Sequence, residues 1–318
     1  MRRLVHGERA SRRPRRRDRL RLGERDAVTA PALPTLQTPA QAFAWFDCER
    51  HNVLAAQRAA LEREWDERVW QIAEALWPLC ATQKRFDEWI ESHRAAVRAG
   101  ERLQDDRVVA RMRSQLARGL SELGDHAGAE DQMALALRAA RSAGDDALSA
   151  SVTEFNGVCL LRADRANAAL EAFRDARARF AECGLARGVA LQDYHIGWCL
   201  IRLDEPRAAV AELQRARAAL QRLDDPINVG RSLVRLGEAR LALGEPEPAT
   251  ATLLEAIDVL ERAGLKFEQA EAYEGLATAA QDLDAAELAR ERRQRAYRIY
   301  HELGHPRAEL VLRTLDAG

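Results

Sequence analysis

Lysine is almost missing from this chain: of its 49 basic residues only Lys84 and Lys266 are not arginine. Aromatic residues are also scarce, at 5%. A large β-sheet core draws on aromatic and β-branched side chains, so the composition argues against one. No apolar run approaches the roughly 18 residues that a membrane-spanning helix needs. The N-terminus is basic but has no apolar stretch after its charges, which excludes a secretory signal. Five cysteines stand at 48, 80, 159, 183 and 199, and none forms C-x-x-C. An odd count without a disulfide framework fits a reducing cytoplasm and buried free thiols. A phosphate-binding G-x-x-x-x-G-K-[ST] loop is missing too. Neither sign of charge prevails, since the formal net charge is −1.

Helix formers fill the space these absences leave. Ala, Leu, Arg and Glu dominate, and 47% of the 318 residues are hydrophobic. They are arranged on a ruler. Small residues recur every forty positions at Ala117, Gly157, Gly197, Gly237 and Ala277, with Trp77 as a large first member. Twelve residues beyond each marker stand Trp89, Ala129, Ala169, Ala209, Ala249 and Ala289. Nineteen beyond stand Ala96, Ala136, Ala176, Ala216, Ala256 and Ala296. A fixed period of this length means stacked supersecondary units. Each unit reads as helix, tight turn, helix, and small residues let the paired helices approach closely. The turn residue, seven past each marker, is Lys84, Gly124, Asp164, Asp204, Gly244 and Asp284. Gly and Asp suit a left-handed turn and Lys84 is the outlier.

The expected fold is therefore all-α: a right-handed superhelical solenoid of about six helix-turn-helix repeats over 67–304. A leading helix pair is expected over 39–66, with Val53, Leu54, Ala56, Ala60 and Leu61 on the second helix's inner face. Ala56 lies in the repeat register, forty before Ala96. A capping helix from Pro306 to Leu315 follows within 305–318, its Val311, Leu312 and Leu315 closing the open end. Residues 1–38 carry eleven Arg and four acids, including Arg12-Arg13-Pro14-Arg15-Arg16-Arg17, and read as a disordered tail. Such a tail is either a solvated segment, or one translated from an early start codon, or an arm for acidic partners. Trp45, Trp65, Trp70, Trp77 and Trp89 crowd one end, as a stack-end core or a docking face for an upstream module.

The units resemble tetratricopeptide repeats. Leu236-Gly237, Leu243-Gly244, Ala249 and Ala256 carry the likeness, with Leu123-Gly124, Ala129 and Ala136, and with Gly197, Ala209 and Ala216. The run from Ala44-Trp45-Phe46 to Ala55-Ala56, together with Trp70–Leu79 and Trp89–His93, is similar to the start of sensor arrays. Those arrays belong to actinobacterial signal-transducing NTPases and antibiotic-regulatory transcriptional activators. The resemblance implies a non-catalytic, cytoplasmic protein- or peptide-binding scaffold or sensor module. It implies neither nucleotide binding nor DNA binding here, because those motifs are missing. An NTPase or DNA-binding regulator would be a partner in trans. The alternative is a stand-alone regulator of transcription that binds a signalling peptide. Nucleic acid, membrane and cofactor are not expected as ligands.

In such a stack the first helix of each repeat lines the concave groove, six and three positions before the marker and one, four and five after it. In the fourth repeat these are Leu191, Tyr194, Trp198, Ile201 and Arg202. Tyr194, Trp198 and Arg202 are spaced i, i+4, i+8 and are expected to form one ridge, with the composition of a binding hot spot. The flanking repeats add Glu154, Val158, Leu161 and Arg162 on one side and Arg231, Val234, Glu238 and Leu241 on the other. Arg111, Arg118 and Glu122 lie further back. The competing reading is that Trp198 only plugs the inside of the superhelix. His195 beside this face reads as structural. His301-Glu302-Leu303-Gly304-His305 spells the zinc-protease H-E-x-x-H, which requires one continuous helix. Gly304 and Pro306 interrupt it, so a zinc-dependent hydrolase is a remote alternative.

Overall fold

A computed structural model describes residues 39–316, and every described element is a helix. The reading of residues 1–38 lies outside the described residues. The chain opens with α1 (Pro39–Glu62). Six antiparallel hairpins follow: α2 (Asp66–Gln83) with α3 (Phe86–Leu103), α4 (Asp106–Glu122) with α5 (His126–Ala143), and α6 (Asp146–Arg162) with α7 (Ala166–Glu182). The other three are α8 (Ala186–Arg202) with α9 (Pro206–Arg222), α10 (Pro226–Ala242) with α11 (Pro246–Ala263), and α12 (Lys266–Asp282) with α13 (Ala286–Glu302). The chain closes with α14 (Arg307–Asp316).

Local chemistry stops each helix where the ruler requires. All six residues at the intra-repeat turn are left-handed, from Lys84 (φ 58°) and Asp164 (φ 59°) to Gly244 (φ 71°). The chain then reverses through a long backbone bond, as from the Arg165 amide to the Leu160 carbonyl (2.9 Å) and from Glu205 to Leu200 (2.8 Å). These bonds satisfy carbonyls that the helix end leaves open. Asp105, Asp125, Asp145 and Asp225 cap the following helices by accepting from backbone amides. Pro206, Pro226 and Pro246 occupy first helical positions, where a missing N–H costs nothing.

The ruler residues are buried as a set. The six alanines nineteen past the markers are each 0% exposed. At the markers the approach is so close that a methyl on Gly197 would stand 2.5 Å from Leu213 Cγ, and one on Gly237 2.5 Å from Leu253 Cγ. Gly157 meets Phe173 in the same way, at 2.6 Å. The partner sits sixteen positions beyond its marker in each case. Where the marker is Ala, at 117 and 277, that partner is Met133 or Arg293. An unbranched chain can yield to a methyl group, and a γ-branched or aromatic one cannot.

Two expectations at the N-terminal end are corrected. The leading pair is one continuous helix, α1, because nothing between Phe46 and Val53 breaks the helical backbone. Ala56 is exposed; α1 buries Phe46, Leu54, Gln57 and Ala60 instead. A helix without a hairpin partner rides across α2 and α3 at its own register. Gln57 fixes that register by donating to the Val69 carbonyl (2.8 Å) and the Ser92 carbonyl (3.2 Å). The tryptophans are also divided: Trp70 and Trp89 are core, whereas Trp45 and Trp65 are exposed. At the other end Val311 and Ala308 pack with Tyr300 beneath α14, Leu315 is partly buried against them, and Leu312 faces solvent.

The array returns over its own beginning. The Lys84 ammonium, at the first intra-repeat turn, lies 4.4 Å from the centroid of the Phe267 ring in the sixth repeat. Phe43 of α1 reaches the turn between the fifth and sixth repeats, 3.8 Å from where a Gly264 side chain would begin. These contacts bridge the concave side from the first repeat to the sixth, and the inward surface of the first helices is called the lumen hereafter.

Candidate functional site

Charged side chains on α2, α4, α6, α8, α10 and α12 face one another across this lumen and link each repeat to the next. Arg111 grips Glu74 through Nε (3.1 Å) and Nη2 (3.0 Å) and donates to Ser151 (2.9 Å). Arg162 meets Glu122 at 2.7 Å. Arg231 meets Glu268 at 2.7 Å. Arg235 pairs with Glu238 (2.5 Å) and Glu271 (2.8 Å). Arg307, from the cap, reaches the same Glu271 (3.2 Å) and Glu274 (3.0 Å). Glu274 in turn accepts from the Tyr300 hydroxyl at 2.7 Å.

Burial works against the charged form of several side chains on this surface, and their neighbours decide the outcome. It opposes ionisation of Glu122, but Arg162 and then Lys84 outweigh it, and the carboxyl sits below its ordinary range. Arg231 does the same for Glu268, and Arg235 for Glu271. Glu154 is held down against burial by the neighbouring His195 imidazole, 3.7 Å away. For His195 burial prevails and the imidazole is pushed toward its neutral form. Lys84 and Arg118 are pushed down by burial as well.

All eight residues singled out in the sequence lie on this surface or its rim. Glu154, Arg162, Arg231 and Glu238 enter the pairs above, and Arg118 faces the rings of Trp77 (6.0 Å) and Phe155 (5.5 Å). The expected ridge of Tyr194, Trp198 and Arg202 is divided. Tyr194 is buried, 4.9 Å from His195 and 6.5 Å from Trp198. Trp198 is half-buried and carries the Arg235 guanidinium over its face at 4.7 Å. Arg202 turns away to the exposed rim, where it pairs with Asp164 at 2.5 Å. Val158, Leu161 and Val234, expected on the groove, belong to the core, packed among the side chains of the neighbouring helices.

The sequence reading missed Glu74, Arg235, Glu268, Glu271 and the inward reach of Lys84. Arg235 and His195 stand two before their markers, a position outside the expected groove set. A signal did exist. Several of the lumen pairs join opposite charges about one repeat apart, as in Arg235–Glu271 and Glu122–Arg162. Charges one period apart meet because equivalent positions stack.

Among the described residues no group of three His, Cys, Asp or Glu side chains is placed to hold a metal. The helix break expected inside H-E-x-x-H is present. α13 ends at Glu302, Gly304 is left-handed (φ 62°), and His305 turns back onto Phe267 (4.9 Å).

No family model matches the chain, and no curated protein does. Solved structures do share its fold. BtubC (BKLC) from P. vanneervenii is 21% identical over 70% of this chain and 94% of its own, with a TM-score of 0.56. A Rap protein complexed with competence and sporulation factor is 17% identical, covering 84% of this chain and 75% of its own, TM-score 0.61. A signal-transduction ATPase (STAND) protein with a tetratricopeptide repeat sensor, from Pyrococcus horikoshii, is 14% identical with a TM-score of 0.58. This chain spans 41% of that protein and matches it over 86% of its own length. The fold is thus a tetratricopeptide-like solenoid.

Proposed function

We propose that this protein is a non-catalytic binding scaffold or sensor module that holds a peptide or protein segment in its lumen. One observation carries the reading: half-buried Trp198, backed by buried Tyr194, presents aromatic surface amid charges of both signs on the concave side of the array. A peptide offers apolar side chains, a polar backbone and charged groups together, and that mixture matches the wall. The solved Rap protein holds competence and sporulation factor, and the solved STAND protein uses its repeats as a sensor. The Rap likeness supports the ligand class and a role in a bacterial regulatory system, and the STAND likeness supports a sensor role. Occupancy would bias an NTPase or DNA-binding regulator in trans by favouring one arrangement of the ring. A stand-alone regulator of transcription that answers a signalling peptide is the second reading, favoured by the Rap likeness. No described helix is long and apolar enough to cross a membrane, and we place the protein in the cytoplasm.

The test is a peptide-display selection on the purified protein, followed by calorimetry of the selected peptides on Trp198→Ala. Affinity should fall at least about tenfold, as for a central aromatic anchor. The urea midpoint should move little, because Arg235 keeps Glu238 and Glu271. A large stability loss with unchanged affinity would make Trp198 a plug and end the reading.

A further inference from the structure

The lumen charges do not all find partners. Around the first intra-repeat turn, Lys84, Arg118, Arg162 and Arg231 all act on the Glu122 carboxylate, and Glu154 and Glu268 lie beside them. Glu122 is taken by Arg162, Glu268 by Arg231, and Glu154 faces His195. Lys84 and Arg118 are left. Among the described residues neither has a carboxylate within ion-pair distance.

Each remaining cation is held with its donors free. The rings of Trp77 and Phe155 attend the Arg118 guanidinium. A guanidinium offers its N–H groups in its own plane, so ring contact leaves those donors unused. Arg118 Nε is sealed from solvent without a hydrogen-bond partner. Arg111 shares the two rings, at 5.7 and 5.6 Å, but its donors are committed to Glu74 and Ser151. The Lys84 ammonium rests on Phe267 at 4.4 Å, and among the described residues no oxygen accepts any of its three protons. Lys84 also occupies a left-handed position (φ 58°) where the other five repeats have Gly or Asp. A lysine there carries a backbone cost of about 1 kcal/mol, and the four-carbon chain gives the turn a reach into the lumen. An unpaired buried cation is costly, and a charge-assisted bond to an anion removes that cost.

We propose that Arg118 and Lys84 form an anion subsite in the lumen wall that receives one oxyanion of the ligand, a carboxylate or a phosphate. The proposal rests on the lumen being the ligand groove and states what one end of that ligand must carry. The anion brings negative charge to a cluster in which two cations lack an ion-pair partner. It also joins α4 in the second repeat to the turn that meets the sixth repeat, so its binding draws on the closed form of the ring.

The experiment titrates the full chain with inorganic phosphate and, separately, with succinate, at constant ionic strength and pH 7. Calorimetry gives affinity, and Trp77 beside Arg118 gives a fluorescence signal. At least one anion is expected to saturate, and Arg118→Met and Lys84→Met should each raise its dissociation constant tenfold or more. Arg118→Lys, which keeps the charge, should recover part of the loss. Preference for phosphate assigns a phosphorylated ligand, and preference for succinate assigns a side-chain or terminal carboxylate. Absence of saturation by either anion, or equal affinity in a folded variant, overturns the proposal. If Arg118→Met does not fold, Lys84→Met at its turn decides the matter alone. The two readings fail separately. Anion saturation without any selected peptide removes the peptide reading only. Selected peptides without acidic groups, bound equally by Arg118→Met, remove the subsite only.

Discussion

Gly197→Ala should destabilise the protein although alanine is the better helix former. In an isolated helix the change is worth about 1 kcal/mol in alanine's favour. Here the new methyl would stand 2.5 Å from Leu213 Cγ and 2.9 Å from its Cδ2. The nearest atom is the branch point of a side chain that is 0% exposed, so rotation of its end cannot clear the clash. Overpacking of this kind costs about 1–3 kcal/mol, and a blocked branch point belongs at the upper end. The net loss should be about 1–2 kcal/mol. The protein itself contains the remedy, since Ala117 faces Met133 in the second repeat. Leu213→Met alone should cost less than about 1.5 kcal/mol. Combined with Gly197→Ala it should recover most of the alanine penalty, giving a coupling of about 1 kcal/mol between touching residues. Urea unfolding followed by circular dichroism and tryptophan fluorescence measures all four proteins. A more stable Gly197→Ala, or strict additivity in the double variant, would refute close approach as the reason for the ruler.

Acid should weaken the protein well above the carboxylate range. His93 is fully buried, with its ring 2.9 Å from the Trp89 carbonyl and 3.0 Å from Gln115 Oε1, and burial pushes it down to about 4. His195 is pushed the same way. A base with a depressed folded pKa stabilises fully above its unfolded value near 6.5, and that contribution is lost as pH falls toward 4. Denaturant midpoints at pH 7.5 and 4.5 should differ by an amount equivalent to about 3 kcal/mol from His93 alone, and a flat profile would contradict the burial. Arg111→Met strands the Glu74 carboxylate beside Gln115 and should cost about 3–5 kcal/mol, read as a lower urea midpoint. Thiol labelling of the native protein should find Cys48 quickly and Cys183 more slowly. Burial pushes Cys80 and Cys199 up to about 12 and Cys159 up to about 11, so these three should react only on unfolding.

The period-forty register determined the helix hairpins, the turn positions and the buried alanine stripes, because each unit meets nearly the same neighbours. Those are properties of position within a repeat, and position is written in the sequence. The same reasoning failed at α1, where a lone helix has no equivalent neighbour and Ala56 turned outward. It placed Arg118, Glu154, Arg162, Arg231 and Trp198 on the inner wall, but it treated the concave side as an open groove. Only the tertiary structure brought Lys84 onto Phe267 and bridged the concave side, since small rotations between repeats accumulate to a curvature that no single repeat encodes. That curvature decided which charges are spent on one another and left Arg118 and Lys84 unpaired.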